Sequence, residues 1–149
     1  MSSNGQPILL ADDNPDDAEF LRRAFRKNGF ENPLHHVLTG DEAINYMRGE
    51  GQYANRAKFP RPHLILLDPN MPGTRGWEVL QWVRQRSEFN AVIVIMFGGS
   101  DNPAEAARAR DLGANAHHSK PAVAEECDQL VNQIGQSWLM PSDSHQCPG

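Results

Sequence analysis

No stretch of this chain is apolar enough to cross a bilayer: the longest continuous apolar run, Ala91 to Phe97, falls far short of the roughly 18 residues a spanning helix needs. The opening residues, Met-Ser-Ser-Asn-Gly-Gln-Pro, lack the basic stretch followed by an apolar one that marks a secretory signal. Cysteine is scarce. Cys127, within a helical pattern, and Cys147, near the end, are too few for a disulfide framework, and a reducing cytoplasm is the expected setting. Positive charge is outweighed, with 14 Lys and Arg against 19 Asp and Glu and a net charge of −5. That balance argues against a nucleic-acid backbone as the main partner, and no DNA-binding output module is visible. A second domain has no room either, since 149 residues make one domain that buries roughly 70% of its unfolded surface.

What the chain does have is organised around His63 to Pro72, His-Leu-Ile-Leu-Leu-Asp-Pro-Asn-Met-Pro. Leu64 to Leu67 read as a strand buried on both faces of a parallel sheet, stopping abruptly at Asp68. The two prolines around Asn70 and Met71, then Gly73 and Gly76, make the following segment a loop. Ile8 to Ala11 repeat the arrangement, an apolar strand ending at Asp12 and Asp13. Asn14 then reads as an N-cap, Pro15 as the first helical residue, and Asp16 and Asp17 as acids set against the positive helix end rather than as catalysts.

Ala18, Leu21, Ala24 and Phe25 supply the inward stripe of the first helix, with Arg22, Arg23, Arg26 and Lys27 facing outward and Gly29 as C-cap. Leu34 to Leu38 predict a second strand, and a second helix runs from about Asp41 through Met47. The stretch from Gly49 to Pro62 reads as a long polar loop. Trp77, Val79, Leu80 and Val83 predict a third helix reaching about Ser87. Val92 to Phe97 predict a fourth strand, Pro103 to Gly113 an alanine-rich helix, Ala114 to His118 a fifth strand, and Val123 to Trp138 a last helix. The domain is expected over residues 7–139, after a flexible segment 1–6 and before a disordered tail 140–149.

Five strands alternating with five helices predict an α/β fold with helices on both faces, flavodoxin-like (βα)5, in strand order 2-1-3-4-5. The switch point of that order lies between the first and third strands, where Asp12, Asp13 and Asp68 would meet. Neighbouring strands are about 4.8 Å apart, so these carboxylates repel unless a pKa rises or a cation binds. An all-oxygen set suits Mg²⁺, and three merely solvated acids at a sheet edge are the plainer alternative. Lys120, just before Pro121, closes the fifth strand toward the same crevice. A carboxylate nucleophile, Mg²⁺ and a cation are the parts that phosphoryl transfer needs.

Leu-Ala-Asp-Asp-Asn at 10 to 14, Leu-Leu-Asp-Pro-Asn-Met-Pro at 66 to 72, Gly76, Leu-Gly-Ala-Asn at 112 to 115 and Lys-Pro at 120 and 121 resemble the two-component response-regulator receiver domain. Tyr-Ala-Asn at 53 to 55 and Trp-Leu at 138 and 139 resemble the single-domain regulators paired with phytochromes. The resemblance implies that Asp68 accepts a phosphoryl group from a sensor histidine kinase, of the phytochrome photoreceptor type in that subfamily. It implies Mg²⁺ on Asp13, Asp68 and the Asn70 carbonyl, with Asp12 helping through water, and Lys120 on the phosphoryl group. A cis bond before Pro121, kinase docking on the basic face of the first helix, and a homodimer through the fourth and fifth helices and fifth strand are implied as well.

One departure stands out. The family's Ser or Thr at the end of the fourth strand is Gly98 here, and the aromatic switch position is His117. Gly98 and Gly99 leave backbone N–H groups open to an oxyanion. Losing the hydroxyl removes roughly 1.5 to 3 kcal/mol from the activated arrangement, so phosphorylation is expected to survive while conformational coupling is weakened. A phosphorylation-independent interaction module is therefore the competing reading. An aspartate-nucleophile phosphatase would need an acid two residues after Asp68, where Asn70 stands. A flavin carrier would need a turn after the first strand that is not acidic. His35, His36, His63, His117, His118 and His145 show no ligand spacing for a transition metal.

Overall fold

The computed structural model describes residues 6–71, 73–98, 103–119 and 124–139. Five parallel strands, β1 (Ile8–Ala11), β2 (Leu34–Val37), β3 (Leu64–Leu67), β4 (Ile93–Gly98) and β5 (Ala116–Ser119), form one sheet in the order β2-β1-β3-β4-β5. Between and after them run α1 (Pro15–Lys27), α2 (Gly40–Arg48), α3 (Gly76–Arg84), α4 (Pro103–Asp111) and α5 (Ala124–Ile134). The predicted flavodoxin-like architecture is the one observed. No helix among the described residues is long and apolar enough to cross a membrane.

Continuous apolar strands supply both faces, because alternate residues point to opposite sides of the sheet. Leu9, Ala11, Ile65, Leu67, Val94 and Met96 meet α2 and α3, whose Ala43, Met47, Val79, Leu80 and Val83 are buried there. Ile8, Leu10, Leu64, Leu66, Ile95 and Phe97 meet α1 and α5 through Leu21, Phe25, Cys127, Leu130, Val131 and Ile134. Burial pushes the Cys127 thiol up to about 11, as expected for a cysteine that serves as a small apolar side chain.

Three local readings are corrected. The cap of α1 is Asn28, whose N–H returns to Ala24 and Phe25, and Gly29 follows it at φ +88°. Arg22 does not simply face water: it is half-buried, and its guanidinium donates to the Leu34 carbonyl on the sheet edge at 3.1 Å. The stretch after α2 is no plain polar loop. It turns through a short 3-10 segment, Gly51–Tyr53, and packs Tyr53 and Phe59 with Tyr46 and His35 into an aromatic cluster with ring centroids 5.0 to 6.0 Å apart. Tyr46 donates from its hydroxyl to the Pro60 carbonyl, which ties the segment down.

Candidate functional site

The carboxyl ends of β1 and β3 are adjacent, with Ala11 in register with Leu67, so the residues that follow them share one crevice. Asp12 is held by its own N–H on the Val37 carbonyl, and the Asp68 N–H reaches the Ala11 carbonyl at 2.9 Å. Asp12 is fully buried, Asp68 is 6% exposed and Asp13 faces solvent. One carboxylate oxygen from each of the three lies within 4.8 Å of the others, and among the described residues no other such group of His, Cys, Asp and Glu is found.

The two strand ends are braced in the same way. Asp12 Oδ1 accepts the Asn14 N–H at 2.9 Å, and Asp68 Oδ1 accepts the Asn70 N–H at 2.9 Å. Each acid thus closes a turn just beyond its strand, which fixes the side chain. Asn14 Oδ1 in turn accepts from the N–H groups of Asp16 and Asp17. His36 Nε2 lies 2.7 Å from the Asp12 carbonyl oxygen and braces the turn from β2. Gly76 completes the support: a Cβ there would sit 2.1 Å from the Asp68 carbonyl oxygen, so only glycine lets α3 start so close behind the loop.

Three hard carboxylates gathered this closely, two of them buried, fit a small divalent cation that prefers oxygen donors. Asn70 is exposed beside them and lines a groove of about 620 Å³ between α3 and α4, together with Arg75, Trp77, Glu78, Ala104, Glu105 and Arg108. Lys120, Gly99 and Pro121, expected to complete the site, lie outside the described residues. His63 bonds the Trp138 carbonyl, and His117 bonds Glu105.

The sequence reading missed Glu105. The room beside Gly98 is not open on that side: a Cβ on Gly98 would lie 2.7 Å from Glu105 Oε1. No motif announces this, since an acid in the first turn of a helix ordinarily reads as a dipole-complementing residue.

Residues 8–132 match the family model of the response regulator receiver domain. Response regulator Rcp1 of Synechocystis sp. is 28% identical over 142 residues, which span 93% of this chain and 95% of Rcp1. Among solved structures, the phosphorylated cyanobacterial phytochrome response regulator RcpA superposes with a TM-score of 0.82 at 32% identity, covering 91% of this chain and 94% of RcpA. The Mn(2+)-bound form of Rcp1 does so with a TM-score of 0.80 at 26% identity, covering 91% and 99%. A match over most of the length, on a sheet that gathers its acids at the switch point, makes this chain a member of the response regulator receiver domain family, the modules of two-component signalling, and similar to the phytochrome-associated regulators within it.

Proposed function

We propose that Asp68 is the phosphoacceptor of this receiver and takes its phosphoryl group from a phosphohistidine of a sensor histidine kinase. The observation that carries the reading is the convergence of the Asp12, Asp13 and Asp68 carboxylates within 4.8 Å at the ends of β1 and β3. An Asp68 oxygen forms the new P–O bond, the P–N bond to the kinase imidazole breaks, and the imidazole nitrogen keeps the electron pair. Asp13, Asp68 and the Asn70 carbonyl would hold Mg²⁺, with Asp12 acting through a bound water. When bound, the ion neutralises charge on the phosphoryl oxygens. The N–H of Asn70 on Asp68 Oδ1 holds the carboxylate in one orientation for the transfer. Lys120 would meet the transferred group from β5, and the N–H groups of Gly98 and Gly99 would approach its oxygens.

Mg²⁺-dependent, acid-labile labelling of the whole chain by a small phosphodonor, abolished in Asp68→Asn, is the expected result. Undiminished labelling of that variant would overturn the assignment. By analogy with RcpA, the reading extends to a kinase of the phytochrome type, docking on the exposed Arg23 and Arg26 side of α1. It also extends to a receiver unit of residues 7–139 in the cytoplasm, and to a homodimer through α4, β5 and α5.

A second reading is favoured by Gly98, where no hydroxyl is available to report phosphorylation. A phosphorylation-independent interaction module would bind its partner equally well as wild type and as Asp68→Ala.

A further inference from the structure

Gly98 ends β4 beside the loop that carries Asp68: a Cβ on it would stand 3.3 Å from Pro69 Cγ and 2.7 Å from Glu105 Oε1. The volume that a side chain at 98 would take is therefore held by a carboxylate reaching across from the first turn of α4. The same oxygen, Glu105 Oε1, accepts from His117 Nε2 on β5 at 2.9 Å. His117 is 6% exposed at its side chain and Glu105 22%, so the bond is largely shielded from water. It pins the start of α4 to β5 across the position that lacks a side chain.

A hydroxyl at 98 could donate to a phosphoryl group on Asp68. A carboxylate can only accept. A phosphoryl group carries roughly 1.5 to 2 negative charges, so converting the Asp68 carboxylate to an acyl phosphate adds up to about one net charge and three acceptor oxygens beyond the loop whose Pro69 shares the space at Gly98 with the Glu105 carboxylate. The response of this site is thus repulsion where a hydroxyl would give attraction. Glu105 has somewhere to go: the groove between α3 and α4 that it lines also holds Arg75 and Arg108. Arg108 lies one turn further along α4, with its guanidinium stacked 4.4 Å from the Trp77 ring centroid. Neither arginine side chain takes part in an ion pair among the described residues. Two arrangements are therefore available to one carboxylate, bonded to His117 or turned toward the groove arginines.

We propose that the Glu105–His117 pair is the relay of this receiver: a phosphoryl group on Asp68 drives Glu105 from beside Gly98, breaks its bond to His117 and frees the first turn of α4 from β5. The proposal rests on the phosphoacceptor reading of Asp68. His117 then loses its inward partner while Glu105 gains the arginine side of the groove, so the surface formed by α4 and β5 changes without any residue at 98 moving.

The test uses the full chain with Mg²⁺ and beryllium fluoride, an analogue of the phosphoryl group. Fluorine NMR reads the adduct, and amide hydrogen exchange reads residues 103–111 and 116–119 at matched adduct occupancy. In wild type the adduct is expected to raise exchange in the first turn of α4 roughly tenfold, within the range usual for coupling between sites. Glu105→Gln, which keeps the shape and removes the charge, is expected to take the adduct without that rise. Glu105→Ala is expected to exchange fast before any adduct forms. An adduct that leaves wild-type exchange unchanged, or an equal rise in Glu105→Gln, overturns the relay alone. Failure of the adduct to form on Asp68 overturns the phosphoacceptor reading and the relay with it.

Discussion

Replacing Asp13 by asparagine should stabilise the metal-free protein and destabilise it relative to wild type once Mg²⁺ is added. The three carboxylates have oxygens within 4.8 Å of one another. Two unit charges at that separation repel by roughly 0.9 kcal/mol at the dielectric constant of water and about 3.5 kcal/mol at an effective value of 20. Asp13 is exposed, so the smaller figure governs each of its two repulsions, and Asp13→Asn relieves about 2 kcal/mol in a chelating buffer. For a domain of this size that is a rise of about 4 to 8 °C in Tm. Mg²⁺ reverses the order. At ten times its dissociation constant it adds about 1.4 kcal/mol to wild type, still short of the gap of about 2 kcal/mol, and at a hundred times about 2.7 kcal/mol; the order inverts there because the variant, having lost a ligand, gains less than the remaining margin of about 0.7 kcal/mol. Urea unfolding followed by circular dichroism, in EDTA and across a Mg²⁺ series, should show the two stability curves crossing. A variant less stable than wild type in EDTA, or equal stabilisation of both by Mg²⁺, would refute the account of this cup as a set of mutually repelling acids awaiting a cation.

Gly76→Ala should lose about 1 to 3 kcal/mol through overpacking, little offset by helix propensity. Its Cβ would meet backbone, the Asp68 carbonyl oxygen at 2.1 Å and Pro69 Cα at 2.7 Å. Mg²⁺ affinity should fall with it as Asp68 is displaced, and an unchanged urea midpoint would count against the close approach. Asn14→Ala removes the acceptor of the Asp16 and Asp17 N–H groups and should cost about 1 kcal/mol by the same assay, with no measurable loss contradicting the cap. Burial, with the nearby Arg22 charge, holds the His35 pKa below its ordinary value, and burial, with neighbouring His117, does the same for His118. Both folded values lie below the unfolded one. Their contribution is therefore complete above about pH 6.5 and is lost as pH falls through the folded values. His35→Phe should flatten the loss of stability between neutral and mildly acidic pH, and an unaltered slope would show that His35 does not contribute to it.

Parallel strands buried on both faces are written as unbroken apolar runs, which is why Leu64 to Leu67 and Ile8 to Ala11 could be placed from composition alone. The acids that end them mark the strand termini. Asn14 followed by Pro15 names the start of α1 because an N-cap and a first-turn proline satisfy local backbone demands that do not depend on the rest of the molecule. The alternation of elements implied a covered parallel sheet, and with a flavodoxin-like strand order taken for it the meeting of Asp12, Asp13 and Asp68 followed too.

Other features depended on how closely finished elements approach one another. Arg22 belongs by periodicity to an outward face, yet the edge of β2 lies near enough for it to bond Leu34. Tyr53 and Phe59 sit in a stretch that reads as polar loop, and only the position of α2 and β2 brings Tyr46 and His35 to them. Gly98 reads as a missing hydroxyl; that Glu105 fills its place and bonds His117 depends on the distance between α4 and the sheet. By itself the amino-acid sequence determined the elements, their faces and the gathering of the acids, because each follows from short-range pattern and strand order. The occupant of the space beside Gly98 was decided by tertiary structure alone, because it depends on the spacing between packed layers, which no local periodicity encodes.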